Sequence, residues 1–146
     1  MKNKSEKVNQ LTSFIDASTV YGVSSQHLNL LLDREKKRLR TQTSEKHGEL
    51  LPPLSSFDDT QTNIEEDFSD DDGIGLNLTS REENEPFVAG DTRVGEFPIL
   101  TSFHTLFVRL HNYVVGRLEE INPHWCNKKL FNEARMFGKP LMMYTT

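Results

Sequence analysis

The chain is 146 residues long, with a formal net charge of −5, a mean hydropathy of −0.59 and one cysteine. That is the length of one modest domain. A single cysteine excludes a disulfide framework, the lack of a long apolar run excludes a transmembrane segment, and net acidity without a basic stripe argues against nucleic-acid binding.

The start, Met1-Lys-Asn-Lys-Ser-Glu-Lys, has no apolar stretch of a secretory signal. An apolar fraction of 35% is low for a globular domain and points to a partly disordered or incomplete chain. The first motif is Leu11-Thr-Ser-Phe-Ile-Asp-Ala-Ser-Thr-Val-Tyr-Gly22. Oxygen donors sit at Thr12, Asp16 and Ser18, with the carbonyl of Phe14 between them. In a non-helical segment alternate residues face the same side, so this spacing presents hard oxygens to one point, as Ca²⁺ requires. The same residue types also make local turns and caps.

Ser24 to Arg40 predicts a helix. Ser24 or Ser25 caps it, Leu28, Leu31, Leu32 and Leu39 follow helical spacing, and its basic residues fall in the last turns. From Phe57 to Glu85 eleven acidic residues face only Arg81, a net charge of −10 against −5 for the whole chain. Self-repulsion and sparse apolar residues predict a disordered acidic insert. Its Asp70-Asp71-Asp72 run lacks the alternating oxygens and glycine turn of an EF-hand loop.

Ala89-Gly-Asp-Thr-Arg-Val-Gly-Glu-Phe-Pro98 reads as a tight turn before a helix. Arg93 and Glu96 are three apart. They form either a surface ion pair or, with Arg93 turned into a pocket, a fixed cation for an oxygen-rich ligand. Thr101 to Glu120 predicts the longest helix, capped by Thr101 or Ser102 and ended by Asn122-Pro123. Phe103, Phe107, Leu110, Val114 and Leu118 form its apolar stripe, widened by Leu106 and Val115. His104 and His111 lie about 10 Å apart along it, too far to share one metal ion, and His104 reads as a hydrogen-bonded, partly buried histidine. His27, His47 and His124 stand isolated, and Cys126 has no histidine–acid partnership. A second helix is predicted from about Asn127 to Met136, with Leu130, Phe131 and Ala134 inward and an antiparallel return on the first. Pro140 is expected to stop it. No strand is legible, so the fold class is mainly α.

These segments together resemble the animal haem peroxidase family. The strings that carry the resemblance are Asn9 to Gly22, Ala89-Gly-Asp-Thr-Arg-Val-Gly-Glu96, Leu100-Thr-Ser-Phe-His-Thr-Leu-Phe-Val-Arg-Leu-His-Asn112, Asn122-Pro-His-Trp125 and Lys129-Leu-Phe-Asn-Glu-Ala-Arg135. The resemblance implies a haem peroxidase that reduces hydrogen peroxide and oxidises a small donor, with haem and Ca²⁺ as cofactors. It implies that Thr12, Phe14 (through its carbonyl), Asp16 and Ser18 belong to a calcium loop, that Arg93 is the distal arginine above the haem, and that Glu96 forms an ester to a haem methyl group. Phe97 stands where one member has a methionine bonded to a haem vinyl group, so that link is expected to be absent.

The family's distal histidine lies upstream of the calcium loop, beside an aspartate that supplies a second haem ester. Its proximal histidine lies downstream of the Asn-Glu-Ala-Arg motif, and none of the five histidines here matches either. Pro86 stands where a cysteine is usual, Cys126 where an acidic helix cap is usual, and Phe137-Gly-Lys-Pro140 departs from the family's continuing helix. The chain is therefore expected to be an incomplete slice of the domain, inactive alone. The blocks are 1–40 (calcium-loop segment and helix), 41–86 (polar and acidic loop), 87–137 (distal-arginine motif and two helices) and 138–146 (divergent tail). The alternative is a non-catalytic remnant that binds calcium weakly or associates with the rest of a peroxidase domain. The family resemblance implies an extracellular parent, in keeping with possible glycosylation sequons at Asn3 and Asn77.

Overall fold

The structure is a computed structural model that describes residues 16–33, 35, 37–57 and 86–145. Thr12, Phe14 and the acidic window from Asp58 to Glu85 lie outside the described residues. In chain order the elements are α1 (Ser18–Tyr21), α2 (Ser25–Leu31), β1 (Leu32–Asp33), β2 (Arg38–Leu39), β3 (Gln42–Ser44) and β4 (Gly48–Leu50). Single 3-10 turns follow at Leu54–Ser56 and Thr92–Gly95, then the long helices α3 (Pro98–Ile121) and α4 (Asn127–Thr145). The fold is mainly helical, as the sequence predicts, but it also holds two antiparallel hairpins, β1–β2 and β3–β4.

The cap of α2 is the predicted one: the Ser24 hydroxyl accepts from the His27 amide at 3.1 Å. The helix ends at Leu31, however, nine residues before Arg40. After Leu32 the next apolar residue is Leu39, so a continued helix would have no face to bury. The chain instead reverses, with Lys37 at φ +61°, and pairs Leu39 with Leu32. Leu39 is thereby buried, and the Asn112 side chain of α3 brackets its peptide groups. It accepts from the Leu39 amide at 2.9 Å and donates to the Leu39 carbonyl at 3.1 Å. A buried amide thus completes the bonding of a two-residue strand that no neighbour strand could satisfy.

Helix α3 begins with Pro98 at its first position, where the missing N–H costs nothing. The hydroxyls of Thr101 and Ser102 do not cap it; they donate back to the carbonyls of Val94 and Pro98. Its inward face also differs from the predicted stripe. His104, Val108, His111 and Val115, at steps of four, three and four, are buried together with Asn112. Phe103 and Leu106 are 52% and 56% exposed. The apolar arc of α3 is too wide for periodicity to select one face, and its buried polar residues bond to Thr19, Tyr21 and Leu39, although His111 Nε2 is buried without a partner among the described residues.

Leu130, Phe131 and Ala134 of α4 are buried as predicted, Leu130 and Ala134 against Val115. The helix does not stop before Pro140 but runs on to Thr145. Pro140 removes one helical N–H and crowds the carbonyl four residues back, at a cost of about 3 kcal/mol in a helix interior. The good helix formers Leu141, Met142 and Met143 follow it.

Candidate functional site

Two segments distant in sequence, the turn of α1 and the Ala89–Glu96 stretch, lie against each other. A β-carbon added to Gly90 would sit 2.5 Å from the Val20 carbonyl carbon and 2.6 Å from both the Ser18 carbonyl oxygen and the Gly22 amide nitrogen. Only glycine allows that approach. The buried His27 ring fastens the same junction, its Nε2 lying 2.9 Å from the Ala89 carbonyl. Gly22, at φ +75°, leaves room for that ring, since an added β-carbon would meet it at 2.8 Å. Neither His27 nor Gly90 was legible as a site residue, and His27 is not isolated.

From this anchored stretch the Arg93 turn projects. Asp91 accepts the Arg93 amide at 2.9 Å, which starts the 3-10 turn, and its carboxylate takes the Arg93 guanidinium in a forked pair at 3.0 and 2.7 Å. The guanidinium holds the Asp91 carboxyl below the usual carboxylate range, and Asp91 in turn raises Arg93 further. The alternative of an Arg93–Glu96 surface ion pair is not the one formed; Arg93 pairs with Asp91, because the carboxylate two residues back can also cap the turn. Glu96 is exposed one turn on, its charge acting on Arg93 from a distance.

His104 lies beneath the turn, buried and hydrogen-bonded to the Thr19 backbone, with Asp91 and Arg93 as its charged neighbours. Burial lowers its pKa most, and Asp91 opposes that. His111 belongs to a separate knot. Its Nδ1 meets the Tyr21 hydroxyl at 2.9 Å, its ring meets Phe131 at 4.6 Å between centroids, and Arg135 lies over the Tyr21 ring at 4.9 Å. Burial, then Arg135, pushes the His111 pKa down to about 3. Of the expected calcium loop, Asp16 and Ser18 are described: Asp16 Oδ1 accepts the Ser18 amide at 3.0 Å, which presents that carboxylate at the start of α1. Cys126 is exposed.

The chemistry of this donor set bears on haem. The Arg93 side chain is 53% exposed, Glu96 is exposed, and Phe97 and Ile99 beside them are 65% and 72% exposed. A fixed cation, a carboxylate and apolar side chains on one accessible turn are a donor set compatible in chemistry with a large apolar macrocycle that carries polar edge groups. An axial iron ligand is not offered by His104 or His111, because both are buried; His104 bonds the Thr19 backbone and His111 bonds Tyr21 through Nδ1, with its Nε2 enclosed and unpaired among the described residues. Among the described residues no group of three His, Cys, Asp or Glu side chains is placed to hold a metal ion, and no helix is long and apolar enough to cross a membrane.

Residues 1–140 match the animal haem peroxidase family. Eosinophil peroxidase of Mus musculus is 43% identical over 134 residues, covering 88% of this chain and 17% of its own length. Myeloperoxidase of Mus musculus is 39% identical over 138 residues, with 88% and 17% covered. The peroxidasin homolog of Mus musculus is 35% identical over 136 residues, 89% of this chain and 8% of its own length. The solved structure of peroxidase A from Dictyostelium discoideum superposes with a TM-score of 0.69 at 22% identity, over 92% of this chain and 23% of that one, which shows a shared fold. The chain thus spans less than a fifth of the length of these curated relatives.

Proposed function

The chain belongs to the animal haem peroxidase family, and on that premise we propose that it supplies the distal-arginine and calcium-loop part of a haem-dependent peroxidase. That enzyme reduces hydrogen peroxide and oxidises a small donor, in an extracellular setting. The observation that carries the reading is the Arg93 turn: an arginine oriented by a forked carboxylate, on a backbone wedged against α1 at Gly90.

Haem, when bound, supplies the iron at which peroxide is cleaved. Arg93 brings a charge that never titrates in the working range. Two of its five guanidinium hydrogens are taken by Asp91, which fixes the plane and leaves the others to align peroxide and offset charge as the O–O bond weakens. Glu96 would hold a haem methyl through an ester, and Phe97 beside it offers a ring in place of a further covalent link. Thr12, the Phe14 carbonyl, Asp16 and Ser18 would hold Ca²⁺ at the entry to α1, so that the ion steadies the segment on which Gly90 rests.

With His104 and His111 buried and out of reach of a macrocycle, the chain mixed alone with haem is expected to give no histidine-ligated Soret band and no turnover. The test of the reading is a chimera in which this chain replaces the matching 134 residues of Mus musculus eosinophil peroxidase. Peroxidase turnover is expected, with haem that resists organic extraction less well once Glu96→Gln is introduced. A folded chimera without turnover favours the non-catalytic alternative.

A further inference from the structure

Helix α3 carries two seams. His104, Val108, His111 and Val115 form the buried one. On the outer side Ile99, Phe103, Leu106, Leu110, Tyr113 and Arg117 recur at alternating steps of four and three, the spacing by which two helices dock along a line. This second seam runs about 27 Å along the helix. It faces outward: Ile99, Phe103, Leu106 and Tyr113 are 72%, 52%, 56% and 67% exposed, and Leu110 is half-buried.

Single exposed apolar residues are ordinary on a protein surface, whereas an aligned row of them marks an interface. Each of the four leaves roughly 100 Å² of apolar surface in water, so two copies offer about 800 Å². Leu110 and the stem of Arg117 bring that near the ~1,000 Å² that a specific interface needs.

The charges at the two ends set the direction of pairing. Glu96 is exposed just before the helix, and Arg117 is 57% exposed at the far end of the seam. Two seams laid parallel would set Glu96 against Glu96 and Arg117 against Arg117. Laid antiparallel, they set Glu96 of each copy near Arg117 of the other and align the helix dipoles favourably. Arg117 spends Nη1 on Glu120, which leaves its other nitrogens for a second carboxylate.

We propose that two copies of this chain pair antiparallel, about a two-fold axis, through the outer seam of α3. The apolar row lies at the centre of that interface, and Glu96–Arg117 pairs close both ends. The inference stands on α3 and does not rest on the peroxidase reading. The small area and the exposed end pairs make the dimer weak. The net charge of −5 on each copy adds a repulsion that salt screens.

The test is sedimentation velocity of the whole chain from about 5 to about 500 μM at ~0.15 M salt, where a monomer–dimer equilibrium with a micromolar Kd is expected. Leu106→Lys, at a largely exposed position, is expected to keep the circular dichroism spectrum and the Tm but leave the chain monomeric. Glu96→Lys or Arg117→Glu alone makes both end contacts repulsive and is expected to weaken pairing about tenfold. The two reversals combined are expected to restore it. A chain that stays monomeric across the range, a dimer that survives Leu106→Lys, a double reversal that fails to restore pairing, or open-ended larger assemblies in place of a closed pair would each overturn the proposal. A monomeric chain would assign the outer seam to the remainder of a peroxidase domain instead, and the peroxidase reading stands or falls on the chimera alone.

Discussion

The Tyr21–His111–Phe131 knot and the Arg93 turn both draw on motifs shared with haem peroxidases, yet they are built in opposite ways. The knot is closed: Tyr21 and His111 are almost wholly buried, the Tyr21 hydroxyl meets His111 Nδ1, and His111 Nε2 is buried without a partner among the described residues. The turn is open: Arg93, Glu96 and Phe97 are exposed, and what holds them is backbone packing at Gly90 and the Asp91 fork. The contrast teaches that motif residues divide into those that secure the frame and those that the frame presents. Changes in the first group should act on stability, and changes in the second on chemistry.

The sharpest way to break this division is at the hinge between the two regions. Gly90→Val forces backbone atoms of Ser18, Val20 and Gly22 apart, and is expected to cost roughly 3 kcal/mol or more, seen as a large drop in Tm. Next comes Asn112→Ala, which strips both partners from the buried Leu39 peptide groups. A loss of about 2–4 kcal/mol follows from two unsatisfied groups, measurable by urea denaturation, with the β1–β2 amides losing hydrogen-exchange protection first.

A smaller, graded effect is expected from pH. His111 is buried neutral with its pKa down at about 3, and His27 and His104 are lowered as well. Between the ordinary histidine pKa of about 6.5 and pH 3 the unfolded chain binds protons that the folded one refuses. Stability is therefore full above pH 6.5 and falls as pH drops through that window. Chemical denaturation across the window should show the slope, and His111→Phe should reduce it. The smallest stability effect belongs to Arg93→Ala. The Arg93 side chain is half exposed, and Asp91, at 11% exposed, keeps its bond from the backbone amide of residue 93, so the loss should stay within about 1 kcal/mol.

Much of the scaffold was legible in the sequence, and the failures have physical causes. The two long helices and the inward residues of α4 follow from period and from Asn122-Pro123. The face of α3 did not, because its apolar arc is wide and its buried face carries His104, His111 and Asn112, whose partners come from other elements. Leu39 fits helical spacing from Leu28 yet lies in a strand, since spacing cannot see that an asparagine seventy-three residues later completes its bonding. The hairpins are two or three residues a strand, too short to show alternation. At the site, Arg93 and Glu96 stood out as residue types, but Asp91 as the arginine's partner did not. The signal was an aspartate two residues before an arginine at the head of a tight turn.

On the proposed reading Arg93 serves the chemistry and contributes little to the frame. The most direct measurement compares the eosinophil peroxidase chimera with and without Arg93→Ala, recording peroxide turnover and Tm on the same samples. Turnover is expected to fall by two orders of magnitude or more, about the cost of removing one preorganised charge-stabilising donor, with Tm moving by only a few degrees. Turnover that survives Arg93→Ala, or a loss of turnover that tracks a collapse in Tm, would contradict it.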